Sequence, residues 1–240
     1  MRRFKHLDTL TLAFVVILLI SNLVGPKICQ LHIGSLTLNV SGAQLLFPLT
    51  YIFGDVFTEI YGYAASRRAI WMGFFATILL DVVGWIVVSL PGAPSWHDQA
   101  AYETVFRVVP RFAVAGLAAY WLGEFTNSFT LAKLKLLTKG KYLWTRTVGS
   151  TITGQAVDTI VVILIAFWGS PPSLIWSIIY SSYLTKVAYE ILATPVTYWV
   201  VNALKRSEGL DTFDVHANFN PFALRSQPIV TEEASEPIGR

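Results

Sequence analysis

Hydrophobic positions in this chain come in long unbroken runs, without the alternation of a strand or the one-sided stripe of a soluble helix. A helix needs roughly 20 apolar residues to cross a bilayer. Six runs meet that length, at about 8–24, 43–63, 69–90, 108–127, 145–168 and 174–203. The pattern predicts an all-α polytopic membrane protein with six transmembrane helices. The first run follows Met1-Arg2-Arg3-Phe4-Lys5-His6, similar to the basic start of a signal peptide. It ends in Ser21-Asn22-Leu23-Val24-Gly25-Pro26 with no small-x-small cleavage site, so it reads as a retained helix. Between the first two runs, apolar residues of Leu31-His32-Ile33-Gly34-Ser35-Leu36-Thr37-Leu38-Asn39-Val40 alternate around Gly34-Ser35. That is a two-residue hairpin signal. It leaves two readings for this external loop, a small β-hairpin over the outer mouth or a tight connector.

Composition supports the same solvent. Hydrophobic residues make up 54% and charged residues 14%, with a mean hydropathy of +0.54. A soluble domain carries about 25% charge, so this chain could not cover its apolar surface in water. Disorder, a disulfide scaffold and a nucleic-acid module are excluded on the same ground. Cys29 is the single cysteine, and His6, His32, His97 and His216 all fall outside the spans. No metal site or cofactor is expected.

The placement of the basic residues sets an orientation. Arg2, Arg3 and Lys5 precede the first span, and Arg67 and Arg68 follow the second. Lys133, Lys135, Lys139, Lys141 and Arg146 surround the loop after the fourth, and Lys205 and Arg206 follow the sixth. The opposite loops offer only Lys27, Arg107 and Arg111. By the positive-inside rule both termini are cytoplasmic. This also accounts for a basic pI without a nucleic-acid partner. Trp71, Trp144 and Trp199 at inner ends, with Trp168 and Trp176 at outer ends, form aromatic belts whose ordinary role is anchoring. Residues 1–204 are thus expected to form the transmembrane domain. Residues 205–240, with six acids against four bases, are expected to form a flexible cytoplasmic tail.

Candidate chemistry lies in the ionisable residues inside the spans. A charge at the bilayer centre costs at least about 2.5–3.5 kcal/mol, so such groups tend to face an interior. Asp55, Asp81, Asp158, Lys186 and Glu190 fall near mid-span on four helices, with Glu59 and Glu124 nearer the inner ends. Asp55 and Glu59 are i,i+4, as are Lys186 and Glu190, while Gln155 and Asp158 are i,i+3. Each pair would share a helix face. Converging, they would form a polar pocket. The bland alternative is that Lys186 neutralises Glu190 or Asp158 as a packing pair, and Asp81 has an equally plain structural reading.

Other polar positions carry less. Ser21, Asn22 and Gln44 sit at helix ends, where a backbone group needs a partner anyway. Arg111 opens the fourth span and either pairs with a carboxylate or snorkels. Ala113, Ala115, Gly116, Ala118, Ala119 and Gly123 favour close helix packing. Pro48 and Pro195 are expected to interrupt the second and sixth spans, as packing kinks or as cavity walls. Catalytic motifs are absent: there is no His-Glu-x-x-His, Gly-x-Ser-x-Gly or Walker A sequence.

The run Phe53-Gly54-Asp55-Val56-Phe57-Thr58-Glu59-Ile60-Tyr61-Gly62-Tyr63, followed by Ala65-Ser66-Arg67-Arg68, resembles the signature of the queuosine precursor transporter family. These are six-helix bacterial inner-membrane proteins, also described as vitamin-uptake-type transporters. Ser21-Asn22, Lys27, Arg111, Gln155 to Asp158, and Lys186-Val187-Ala188-Tyr189-Glu190 before Pro195 are further matches, spanning about 8–204. The resemblance implies import of 7-cyano-7-deazaguanine or 7-aminomethyl-7-deazaguanine, with no cofactor, in the lipid bilayer. A homo-oligomer is compatible with it.

Such a base presents two adjacent donors, ring N1–H and the exocyclic amine, which match one carboxylate's two oxygens. On this reading Asp158, Glu190, Asp55 and Glu59 are the candidate acceptors. Lys186, Gln155 or Asn22 would donate to the carbonyl, Arg111 would contribute at the outer side, and Tyr189 would stack. An alternative function is a membrane substrate-binding subunit driven by separate ATPase partners, which uptake by the purified chain alone would exclude. A membrane enzyme or a purely structural protein is disfavoured by the missing motifs.

Overall fold

The computed structural model describes residues 4–24, 27–33, 36–106, 110–209, 212–214 and 218–223; for most of 28–41, and for 44, 47, 48, 51, 110–113 and 181, it describes backbone alone. The described chain is mainly helical. Its helices are α1 (Leu7–Val24), α2 (Phe47–Val56), α3 (Tyr63–Ser89), α4 (Gln99–Phe106), α5 (Pro110–Leu137), α6 (Leu143–Ala166) and α7 (Pro172–Glu208). Between α1 and α2, strands β1 (Ile28–Ile33) and β2 (Leu36–Ser41) pair antiparallel, from Ile28 opposite Ser41 to Ile33 opposite Leu36. The turn residues Gly34 and Ser35 lie outside the described residues.

By length and composition, α1, α3 and α6 can each cross a membrane. The protein is a membrane protein: Phe75, Leu79 and Trp85 on α3 and Leu192 and Trp199 on α7 are exposed, an apolar surface suited to lipid rather than water. Helices α2, α5 and α7 fall below that hydropathy or length because α2 has only 10 residues, and α5 and α7 carry Glu124, Asn127, Lys186 and Glu190. Polarity is thus concentrated on particular members of the bundle.

The second apolar run is broken into three parts. A 3₁₀ turn at Gly42–Leu45 leads to α2, and a π-helical segment at Phe57–Tyr61 follows it directly. Pro48 lies in the first turn of α2. It therefore starts a helix, where a missing N–H costs nothing, instead of interrupting one. Pro195 does sit inside α7. The short helix α4 has no counterpart among the expected runs; it rests on α3, where a Cβ at Gly84 would lie 2.8 Å from the Phe106 ring.

One end of the bundle gathers the start of α1, the π segment, the end of α5, the start of α6 and the end of α7; we call it the proximal end. Phe14, Ile52, Val56, Phe57, Ile60, Tyr61 and Val201 form its apolar core. Glu208 of α7 closes this end against α1, accepting the backbone N–H groups of Lys5 (3.0 Å) and His6 (2.8 Å) and the Tyr61 hydroxyl (2.9 Å). Helices α5 and α6 approach at backbone distance. A Cβ at Gly123 would lie 3.3 Å from the Gly154 carbonyl oxygen, and one at Gly154 would lie 3.1 Å from the Gly123 oxygen. This is the close packing that small residues permit.

The stretch expected to be a free tail from 205 is different in its first part. Helix α7 runs on to Glu208, and the described residues 212–214 and 218–223 lie against the proximal end as a strap. Arg67 donates to the carbonyls of Asn218 (2.8 Å) and Asn220 (3.0 Å), Trp71 Nε1 to Pro221 (2.8 Å) and the Tyr63 hydroxyl to Phe219 (3.1 Å). Phe222 packs on Trp71 and Trp121, and Lys133 stands over the Phe219 ring at 4.3 Å. Two glycines make room. Gly62 (φ 84°) and Gly140 (φ 74°) take left-handed backbone, and a Cβ on them would meet Asp214 Oδ1 at 2.9 Å and the Phe213 ring at 2.8 Å. Hydrogen bonds and ring contacts offset the ordering entropy of this strap.

Candidate functional site

Buried charge is arranged on two levels. The lower level, at the proximal end, centres on Glu59, which is 0% exposed. Arg146 grips its carboxylate with both prongs, Nε to Oε2 at 2.7 Å and Nη2 to Oε1 at 2.6 Å. Lys205 Nζ donates to Oε1 at 2.6 Å. Lys135 lies 3.5 Å from the same oxygen and also donates to the Glu59 backbone carbonyl. One acid thus ties the π segment to α5, α6 and α7. A bidentate guanidinium is the strongest partner a carboxylate can have. Asp214 of the strap stands near Lys135 and accepts the Tyr63 backbone N–H at 2.9 Å. Burial pushes its carboxyl above the ordinary range, against the opposing pull of that hydrogen bond and of Lys135.

The upper level is built from α2, α5, α6 and α7. Asp55 is 1% exposed, has Asn127 of α5 alongside, and lies within electrostatic reach of Glu190. Glu190 is 1% exposed with Thr151 alongside, yet neither of its carboxylate oxygens has a partner at hydrogen-bonding distance. Among the described residues, Asp55 Oδ2, Gln155 Oε1 and Thr159 Oγ1 are likewise buried without partners. Glu124 lies near Asp158 and Glu190, and a Cβ at Gly54 would be 3.2 Å from its Oε2. Asp158 is ion-paired with Lys186. Buried acceptors usually find donors, and these described ones do not.

The residues singled out by sequence are therefore sorted. Asp55 and Glu190 come together, with Gln155 presenting another unpartnered buried acceptor. Asp158 and Lys186 pair with each other, and Glu59 is claimed by three cations. Asn22 is exposed and donates back to the Leu18 carbonyl at 3.0 Å, a helix-end contact. The side chain of Arg111 lies outside the described residues. Tyr189 is exposed on α7. Asp81 is half-buried on α3, on the helical stripe that includes Thr77 and Gly84. Sequence reasoning passed over Asn127 and Thr151, and it placed Glu124 near the inner end without giving it a role. The available signal was the i,i+3 spacing of Glu124 and Asn127 beside the small residue Gly123. It also read Lys135, Arg146 and Lys205 only as orientation charges.

Apolar helices enclosing a few buried, unpartnered polar groups are the architecture of a membrane transport protein. The chain belongs to the family described as "Putative vitamin uptake transporter", whose model matches residues 41–200. It is similar to a "Probable queuosine precursor transporter" of Bacillus subtilis (strain 168), 31% identical over 65% of this chain and 69% of that protein. It is also similar to a "Queuosine precursor transporter" of Escherichia coli (strain K12), 26% identical over 71% of this chain and 72% of that one. No solved structure matches. The family is one of transporters, not enzymes, and two relatives carry the name that the sequence pattern resembles.

Proposed function

We propose that this chain imports queuosine precursors, 7-cyano-7-deazaguanine and 7-aminomethyl-7-deazaguanine, across a bacterial inner membrane. The names of the two relatives support the substrate class. The observation that carries the site is the set of unpartnered buried acceptors, Asp55 Oδ2, Gln155 Oε1 and both oxygens of Glu190. A deazaguanine's N1–H and exocyclic amine lie side by side and suit a carboxylate whose two oxygens are both open, as those of Glu190 are. Gln155 adds an acceptor and an amide donor for the neighbouring carbonyl. An analogue lacking those donors would leave the buried oxygens unpaired and bind poorly.

In this reading α1, α2 with its π segment, α3, α5, α6 and α7 make six crossings, and the proximal end faces the cytoplasm because the basic residues collect there. Residues 1–204 form the transport domain. The β1–β2 pair lies towards the outer mouth. The upper level is the midplane site and the Glu59 cluster closes the cytoplasmic side beneath it, as alternating access requires. Uptake of labelled precursor into cells expressing Glu190→Gln or Asp158→Asn tests this. Loss of uptake at normal protein level is expected in both, and full retention in both would remove these residues from the site.

A further inference from the structure

We propose that the interior site reads the charge of its ligand, with Asp55 as the residue that favours a cationic base over a neutral one. The inference rests on the precursor reading above and specifies which ligand that site prefers.

The free valences of the two central acids differ. Glu190 has both oxygens open, a two-point acceptor for two adjacent N–H groups. Asp55 presents one buried oxygen, Oδ2, without a partner, a one-point acceptor for a single N–H. A flat base with a paired donor edge and a separate ammonium arm fits this division. The neutral counterpart, with a nitrile on the arm, offers Asp55 no donor.

Charge points the same way. The groups facing this level are Asp55 from α2, Glu124 from α5, Asp158 from α6 and Lys186 and Glu190 from α7. Lys186 is taken up by Asp158. The cations of the lower level, Arg146, Lys135 and Lys205, converge on Glu59. Three acids of the upper level therefore lack a cation among the described residues. In a medium of low dielectric a neighbouring positive charge is strongly favoured there. A ligand ammonium supplies it, and a nitrile turns its own negative end towards the carboxylates.

The test is equilibrium binding of the two deazaguanines to the purified full-length protein in lipid nanodiscs at pH 7. The aminomethyl base is expected to bind about tenfold or more tightly than the cyano base, the scale of one charge-assisted hydrogen bond. Asp55→Asn, which keeps the shape and the amide-compatible contacts, is expected to shrink that ratio to within about threefold. Asp55→Glu is expected to restore much of it. Equal binding of the two bases by the unaltered protein, tighter binding of the cyano base, or an unchanged ratio in Asp55→Asn would overturn the charge inference while leaving the precursor reading intact. Failure of both bases to bind would overturn the precursor reading, and the charge inference with it.

Discussion

Asp55 and Glu59 stand one turn apart on the same stretch of chain, both almost wholly buried, and their surroundings are opposites. Glu59 is held by Arg146, Lys135 and Lys205, every one of its oxygens engaged. Asp55 keeps one oxygen free and lies beside Glu190, which keeps two. Burying a charge is costly unless partners replace the lost water. At Glu59 the protein supplies those partners itself and gains a joint between four elements. At Asp55 and Glu190 no cation stands in ion-pair contact among the described residues. On the proposed reading, stability resides in the first arrangement and the capacity to bind in the second.

The sharpest way to break this contrast is to remove each acid in turn and follow thermal unfolding in detergent. Glu59→Gln takes the shared carboxylate charge away from Arg146, Lys135 and Lys205 and is expected to cost about 3–5 kcal/mol, the usual consequence of breaking a buried pair from one side. If Glu59→Gln unfolds no earlier than the unaltered protein, the cluster is not the joint we describe. Ending the chain at Gly209 is expected to cost less, about 2–3 kcal/mol, by uncovering Tyr63, Trp71 and Trp121 and by removing Asp214 from Lys135. A truncation with unaltered unfolding would detach the strap from the satisfied level. Asp55→Asn, in contrast, is expected to change stability by under about 1 kcal/mol in either direction, because among the described residues no cation pairs with Asp55. A loss as large as that of Glu59→Gln would erase the distinction between the two levels.

The smallest effect concerns acid. Burial alone would raise the Glu208 carboxyl, but the N–H groups of Lys5 and His6 and the Tyr61 hydroxyl outweigh it and hold the group below its ordinary range. Its folded form thus favours the carboxylate. The stabilisation is fully present above the ordinary carboxylate value and is lost as pH falls through the lowered one. Amide exchange at Lys5 and His6 should quicken as pH drops through that window, after correction for intrinsic rates. In Glu208→Gln that pH dependence should vanish.

Much of this was legible in the chain itself, and the exceptions have physical causes. Long apolar runs place α1 and α6 to within two residues, because the requirement for a bilayer-length helix is strict. Helix α3 begins at Tyr63, six residues before the run at 69, so Arg67 and Arg68, expected in a loop, lie inside the helix. The pairing of Lys186 with Asp158 was one of two partners the spacing allowed. Arg146 and Lys135 were misleading because a basic residue near a helix end reads the same whether it snorkels to water or turns inward; both are buried. The i,i+4 spacing of Asp55 and Glu59 suggested a single face. A π segment begins at Phe57, between them, and changes the turn on which Glu59 is carried. The strap was hidden for another reason. Arg67, Trp71 and Tyr63 hold it by its backbone carbonyls, acceptors that every residue carries and that composition cannot reveal.

The contact of Gly123 with Gly154 governs how this bundle can move. Asp158 and Asn127 already stand 2.8 Å from where side chains on those glycines would begin, so α5 and α6 cannot ratchet past one another without a collision of backbones. On the proposed transport reading they are expected to move as one unit that carries Glu124, Asn127, Gln155 and Asp158 together. The opposing wall, Asp55 on the interrupted α2 and Lys186 with Glu190 on the proline-containing α7, is expected to shift against it. A spin-label pair on α5 and α6 should hold its distance through the transport cycle, and one spanning α6 and α7 should not.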